Sequence, residues 1–348
     1  MTTTLEHAID DSTRPGELVK PLSAGVLVCT ACGHLCRLKP GQRGVCKVRH
    51  NSEGTLRVPF NYTAGFHNDP IEKKPFFHAL PGSFAMSFGM LGCDFHCAYC
   101  QNWFTSQSLR DDRATASPTR MTAAEICVLA KDHGSKTVVS TYNEPLITSE
   151  WAVEVFQEAR QSGLCTAYVS NGHGTPEVID YIKPWVDFYK IDLKTFSEKN
   201  YRRLGGNLEA VLDTIRRVFD AGMWTEIVTL VVPGYNDSDE ELTKIAEFIA
   251  EISTDIPWHV TAFHPDYKMQ DKRRTPVSTL LEARSLGMRA GLKFVYSGNM
   301  PGQVENTENT CCPKCDDLLI ERIGFRVQQN RLQEGACPGC REPIAGCW

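Results

Sequence analysis

Cys93, Cys97 and Cys100, in the run Gly92-Cys93-Asp94-Phe95-His96-Cys97-Ala98-Tyr99-Cys100, present three thiols separated by three and two residues. A loop of that spacing can wrap one corner of a cluster after another, and soft thiolate sulfur favours iron–sulfur clusters. Three thiolates ligate three irons and leave a fourth iron of a 4Fe-4S cluster without a protein ligand. That open iron can be chelated by the amino and carboxylate groups of S-adenosylmethionine. An electron from the reduced cluster then breaks a carbon–sulfur bond and releases a 5′-deoxyadenosyl radical. The cofactor carries that chemistry, and the protein must position it and keep water and oxygen away. The alternative is a zinc knuckle completed by His96 or a distant ligand. The aromatic Tyr99 before the last cysteine, and the place of the loop directly after a strand, weigh against zinc.

Two further cysteine sets flank this loop. Cys312-Pro-Lys-Cys315 and Cys337-Pro-Gly-Cys340 are CPxC knuckles separated by 21 residues, close to the spacing of paired zinc knuckles. Structural zinc is the favoured ligand there, with a hairpin through Ile323–Val327 turning at Gly324; a single rubredoxin-type iron is chemically open as well. The N-terminal set, Cys29, Cys32, Cys36 and Cys46, can close a zinc site or hold an auxiliary iron–sulfur cluster, and His34 can replace one member. Cys127 and Cys165 fall on a predicted helix and strand, where core packing is expected.

The 15 cysteines are read as metal ligands because the chain is expected to stay in the cytoplasm, where thiols are kept reduced. Its first ten residues lack the basic start and apolar run of a secretory signal, and no apolar stretch reaches the length of a membrane span. A net charge of -5 over 348 residues provides no broad basic field for a phosphate backbone, so nucleic acid is not an expected partner. With 42% hydrophobic and 23% charged residues the composition is that of an ordinary globular protein.

Short apolar runs alternate with helix-like stretches over about 84–296. Strands are predicted at Phe84–Leu91, Thr137–Tyr142, Cys165–Ser170, Val186–Leu193, Thr225–Val232, His259–Phe263 and Lys293–Tyr296. Capping boxes are predicted at Thr122 with Glu125 and at Ser238 with Glu241, and an N-cap with proline in the first turn at Thr175-Pro176. The alternation gives an α/β fold: a partial parallel (β/α)6 TIM-like barrel with a small Cys-rich N-terminal module and a C-terminal zinc-ribbon-like module. The boundaries expected are a disordered tail over 1–20, the N-terminal Cys-rich region over 21–80, the barrel over 81–302 and the ribbon over 303–348. Polar groups recur where strands end, which in a barrel lines the mouth of an active site. Glu72-Lys73-Lys74 is expected to be a solvated face.

The three-cysteine loop with its aromatic residue resembles the radical S-adenosylmethionine superfamily. More narrowly, Asp69–Ser83, Gly92–Trp103, Thr141–Pro145, Val169–His173, Lys190–Lys194, Phe263–Met269 and Val295–Asn299 resemble the AmmeMemoRadiSam radical enzyme family, which is similar to the activases of glycyl-radical enzymes. The resemblance implies a 4Fe-4S cluster and S-adenosylmethionine as cofactors, with Tyr99 beside the loop. It implies that Asn143 and Glu144 lie near the methionine amino group, although a Gly-Gly-Glu run is usual there and Glu144 equally suits a cap on the Pro145 turn. It implies that Ser170 and Asn171 line the ribose. It sets Lys194 toward the carboxylate and Asp192 toward the amino or ribose end, an internal salt bridge being the plainer alternative. His264 and Asn299 are candidate contacts for adenine or substrate, and the match of Glu72-Lys73-Lys74 to the family's entry loop makes that run a candidate substrate contact as well as a solvated face. A ferredoxin- or flavodoxin-type electron donor and Memo-like and AMME-type proteins are the implied partners. The functional alternatives are activation of a glycyl-radical enzyme, which the lack of a cysteine-rich insertion after the loop weakens, and a metal-bound adaptor without turnover.

Overall fold

The computed structural model describes residues 2–304 and 306–348, with side chains from residue 5 onward. The chain divides into two compact units assembled from separate segments: Met1–Asp69, Ala85–Tyr189 and Tyr201–Met223 form one, and Pro70–Phe84, Lys190–Asn200 and Trp224–Trp348 the other. In chain order the repeated elements are β1 (Phe84–Gly89), α1 (Ala123–Asp132), β2 (Ser135–Ser140), α2 (Ser149–Gln161), β3 (Cys165–Ser170), α3 (Pro176–Ile182), β4 (Phe188–Asp192), α4 (Leu208–Asp220), β5 (Trp224–Val231), α5 (Asp239–Ile252), β6 (Trp258–Ala262), α6 (Val277–Arg289) and β7 (Val295–Gly298). The fold is α/β with a central, mostly parallel sheet.

In the first unit β2 and β3 run parallel, with Thr137 opposite Cys165 and Ser140 opposite Tyr168. Both strands carry β-branched residues and are mostly buried, as a sheet covered on both faces requires. Helix starts follow their local chemistry. Thr122 and Glu125 form the reciprocal box on α1. Thr175 caps α3 by accepting from Val178 N, with Pro176 in the first turn. Asn207 caps α4 by accepting from Ala210 N, and α4 buries Val211, Thr214, Ile215 and Val218 at helical spacing.

The N-terminal part of this unit carries two small antiparallel sheets. Val19–Pro21, Leu27–Cys29 and Arg37–Leu38 form one, and Thr13–Pro15, Thr55–Pro59 and His50–Ser52 the other. The expected disorder over 1–20 is therefore corrected: Thr2–Asp10 is helical and the two strands that follow are paired, while Met1 lies outside the described residues. The polar composition misled because Thr13–Pro15 is ordered by pairing with Thr55–Pro59, more than forty residues on, while Val19–Pro21 pairs with the nearby Leu27–Cys29.

In the second unit β5, β6 and β7 run parallel, with Ile227 opposite Trp258 and Trp258 opposite Val295. Leu318–Ile323 and Arg326–Asn330 form the predicted hairpin at Gly324, whose φ of +59° suits glycine, and Thr310–Cys311 adds a third strand. Leu319 and Ile320 of this hairpin pack with Phe77, Phe294 and Tyr296, so the cysteine ribbon shares a core with its unit.

Two local expectations are corrected here. Ser238 accepts from Glu241 N, but the Glu241 carboxylate is taken by the Thr195 hydroxyl and Phe196 N instead of closing the box. Glu72 and Lys74 are buried and only Lys73 is exposed, so the run is not a solvated face. Glu72 accepts from Gly82 N and stands 3.8 Å from Arg322, a charge supplied some 250 residues away. Among the described residues no helix is long and apolar enough to cross a membrane.

Candidate active site

The three-cysteine loop opens one turn beyond β1. Gly92 has a φ of +87°, and a Cβ there would lie 2.8 Å from the Cys46 carbonyl and from Val48, so only glycine lets the chain turn into the loop. Arg110 then holds the loop through its carbonyls: Nη2 donates to Cys93 O at 2.7 Å and Nη1 to Phe95 O at 2.9 Å. Gln107 Nε2 adds a bond to Phe95 O at 3.1 Å. Cys97 and Tyr99 are buried, and Cys93 and Cys100 half-buried.

The donor set fits a cluster. Phe95 N donates to Cys93 Sγ at 3.4 Å, and Ser106 Oγ lies 3.2 Å from Cys100 Sγ, the sulfur-directed contacts that tune iron–sulfur sites. Burial and the Asp94 charge push the Cys93 thiol well above its ordinary pKa, which disfavours its ionisation in the bare loop. His96 is exposed and lies against Gly205, where a Cβ would come within 2.6 Å of its ring; among the described residues it joins no compact ligand group with the cysteines.

Asp94 ties the loop to the end of β3. Asn171 Nδ2 donates to Asp94 Oδ1 at 2.8 Å, and His173 Nδ1 meets Asp94 Oδ2 at 2.9 Å. Asn207 Nδ2 donates to the other ring nitrogen of His173 at 3.1 Å. That fixes the His173 proton on Nδ1, facing the carboxylate. Burial works against the Asp94 charge, yet His173 and Asn171 outweigh it and keep the carboxyl below its ordinary range. His34 Nε2 bonds the Asp94 carbonyl at 3.2 Å and adds to this tie.

Glu144, at the end of β2, is buried among donors. Its oxygens accept from Ser170 Oγ at 2.6 Å, Asn171 N at 2.7 Å and Leu146 N at 3.0 Å. The last bond is the expected cap on the Pro145 turn, so Glu144 caps and reaches β3 at once. Burial, followed by the Asp94 charge, raises its carboxyl to about 8 despite these donors. Asn143 Oδ1 accepts from Met90 N at 3.0 Å. Cys93, Asn143, Glu144, Ser170 and Asn171 are thus gathered within the first unit at the carboxyl ends of β1, β2 and β3.

In the second unit Asp192 sits between two ammonium groups. Lys194 Nζ lies 3.1 Å from Asp192 Oδ2, and Lys190 Nζ bonds Asp192 Oδ1. Burial opposes the Asp192 charge, and the two lysines outweigh it, holding the carboxyl at about 2. The internal salt bridge is present, with one partner more than expected. Lys190 was legible as a third residue in the same alternation, since side chains at 190, 192 and 194 share a face. Asn236 Nδ2 donates to Lys194 O at 2.7 Å and fixes the turn after β5. His264 is exposed. Asn299, with a φ of +62°, donates from Nδ2 to Ala262 O at 3.1 Å.

The C-terminal cysteines form a compact site. Cys312, Cys315, Cys337 and Cys340 bring their sulfurs within 4.8 Å of one another, with Cys312–Cys340 at 3.5 Å and Cys315–Cys337 at 3.7 Å, a group able to bind a metal. Burial opposes ionisation of Cys337, but amides of Cys340 and Gly339 and the neighbouring thiols bring it down to about 7.

A family model described as the Radical SAM superfamily matches residues 89–249. An uncharacterized protein of Methanocaldococcus jannaschii is 37% identical over 321 residues, covering 91% of this chain and 94% of that protein. A pyruvate formate-lyase-activating enzyme of Clostridium pasteurianum is 24% identical over 200 residues, covering 52% of this chain and 80% of its own. Among solved structures, a radical SAM methyltransferase from Sphaerobacter thermophilus aligns with a TM-score of 0.49 at 15% identity, over 63% of this chain and 67% of that one.

Proposed function

We propose, from the premise that this chain belongs to the radical SAM superfamily, that it cleaves S-adenosylmethionine reductively to abstract hydrogen from its substrate. The observation that carries this reading is the three-cysteine loop beyond β1, tied through Asp94 and Asn171 to Glu144 and the ends of β2 and β3. Cys93, Cys97 and Cys100 would hold a 4Fe-4S cluster with one iron left for the methionine end of the cofactor. When bound, the cluster supplies the electron that breaks the carbon–sulfur bond and yields a 5′-deoxyadenosyl radical.

The chain's own groups bind and orient. Asn143 and Glu144 face the amino group in this reading. Glu144, whose carboxyl lies at about 8 in the bare site, gives up its proton as that cation arrives. Ser170 and Asn171 serve the ribose. Lys194 takes the carboxylate and Asp192 the amino or ribose end, while Lys190 keeps Asp192 ionised throughout. Tyr99 shields the cluster, and His264 and Asn299 contact adenine or substrate.

We read the C-terminal set as structural zinc, because a zinc ion about 2.3 Å from each thiolate holds the sulfurs ~3.8 Å apart, close to the spacing found there. Similarity to pyruvate formate-lyase-activating enzymes supports a second reading, in which the hydrogen is taken from a glycine of a partner enzyme. A ferredoxin- or flavodoxin-type donor, Memo-like and AMME-type partners and a cytoplasmic setting complete the proposal. Electron paramagnetic resonance of the anaerobically reconstituted, reduced protein tests it. A cluster signal that shifts when S-adenosylmethionine is added supports the reading, and a signal indifferent to it defeats it.

A further inference from the structure

We propose that Cys29, Cys32, Cys36 and Cys46 hold a polynuclear iron–sulfur cluster of their own, beyond the single cluster that the proposed reaction requires. The four thiols converge within the first unit. Cys29 N reaches Cys36 O, and Val45, next to Cys46, donates its N–H to Cys36 Sγ; no disulfide consumes any of the four. Local hydrogen bonds fold the segment around them: Cys29 N to Cys36 O at 3.0 Å, Leu35 N to Cys32 O at 3.0 Å and Lys47 N to Gly44 O at 3.0 Å.

The spacing of the sulfurs separates a cluster from a single ion. A tetrahedral ion draws four thiolates to ~3.8 Å from one another, and the C-terminal cysteines meet that condition. A cluster sets an iron behind each thiolate with sulfides between them, so its ligands stand wider apart. Among the described residues, no three of the N-terminal cysteines lie within 4.8 Å of one another, and neither do Cys93, Cys97 and Cys100. The N-terminal set, like the radical loop, does not meet the compact condition that the zinc-type site meets.

The surroundings suit a buried sulfur-ligated centre. Val45 N donates to Cys36 Sγ at 3.4 Å and Arg49 Nε to Cys29 Sγ at 3.2 Å. The Arg49 charge is met by both Glu150 oxygens, at 2.6 and 2.8 Å, so its contact with sulfur is fixed. Cys32 also lies within 4.8 Å of ligand atoms of Asp94 and His173. Those two are satisfied by each other, Asn171 and Asn207, so this trio is a junction and not a second ion site. It sets the N-terminal centre against the residue that follows Cys93.

The test removes the loop cluster and counts sulfide. The Cys93→Ala, Cys97→Ala, Cys100→Ala protein, reconstituted anaerobically, should retain acid-labile sulfide and iron at about four of each per chain, the content of a four-iron cluster held by four cysteines. Adding Cys36→Ser, at the least buried ligand, should abolish that sulfide. Zinc without sulfide in the triple variant overturns the proposal, as does sulfide that survives Cys36→Ser. Should the triple variant not fold, Cys36→Ser alone suffices. Sulfide then falls from about eight to about four per chain while the signal sensitive to S-adenosylmethionine persists, and unchanged sulfide overturns the proposal. Sulfide kept by the triple variant supports it even when the wild type cleaves no S-adenosylmethionine, so its outcome is independent of the proposed reaction.

Discussion

Replacing Glu150 with alanine isolates what holds the N-terminal cysteine segment in its unit. Arg49 and Glu150 are 1% and 0% exposed, and the guanidinium reaches both carboxylate oxygens and the Ile147 carbonyl. Glu150 also accepts from Glu17 N at 3.2 Å and Leu18 N at 3.3 Å. Removing one partner of a buried ion pair strands the other charge and costs about 3–5 kcal/mol. Two orphaned backbone donors push the figure toward the top of that range. Domain stabilities run to about 5–15 kcal/mol, so the segment should open well below global unfolding. Hydrogen exchange of the metal-loaded protein reads this at Cys29 N and Thr30 N, whose acceptors are Cys36 O and Leu18 O. Three kcal/mol is on the order of a hundredfold faster exchange there. Converting both partners, Arg49→Met with Glu150→Leu, should recover most of the loss, because the desolvated charges leave together. Exchange within about threefold of wild type in Glu150→Ala, under ~0.7 kcal/mol, would refute the assignment of the pair as the anchor.

Further outcomes follow from the second unit. His78 donates from Nδ1 to Ala345 O at 2.7 Å and accepts at Nε2 from Tyr296 Oη at 2.6 Å, and burial lowers its pKa to about 4 with Glu226, Arg322 and His259 around it. Since the unfolded chain takes up this proton near 6.5, stability should fall as pH drops from 6.5 to 4, by about 3 kcal/mol in all. A denaturation series in which His78→Asn shows the same slope would count against this. Cys337→Ser should remove one bound zinc per chain and speed exchange at Cys347 N, which donates to His78 O; elemental analysis and exchange measure both, and unchanged zinc contradicts the assignment. Lys194→Ala should leave the fold intact, because Lys190 still pairs Asp192. It should weaken S-adenosylmethionine binding at least tenfold, or ~1.4 kcal/mol, and unaltered affinity by calorimetry would remove Lys194 from the site.

Local chemistry was the legible part of this chain. Strand positions came through because buried parallel strands are continuous apolar runs, and β3 matches residue for residue. The Thr122 and Thr175 caps were readable because both partners lie within three residues. The compact C-terminal cysteine group was readable because knuckle spacing is local too. What escaped was fixed at long range. Asp94 and His173 are 79 residues apart, and nothing near either announces the other. Glu241 left its box for a strand-end hydroxyl 46 residues earlier. Glu72 looked solvated because Arg322 lies on the distant ribbon. Lys190 was missed for a different reason: the pattern of alternation reached it, but the family motif drew attention only to the later two charges.

The central claim is best tested by measuring 5′-deoxyadenosine formed from S-adenosylmethionine by the reconstituted protein under dithionite, in the absence of oxygen. Wild type should release it, and Cys97→Ala, lacking one of the thiols proposed to hold the loop cluster, should release none above the reagent blank. Equal release by the two proteins, or none from wild type carrying a full complement of iron and sulfide, would contradict the account.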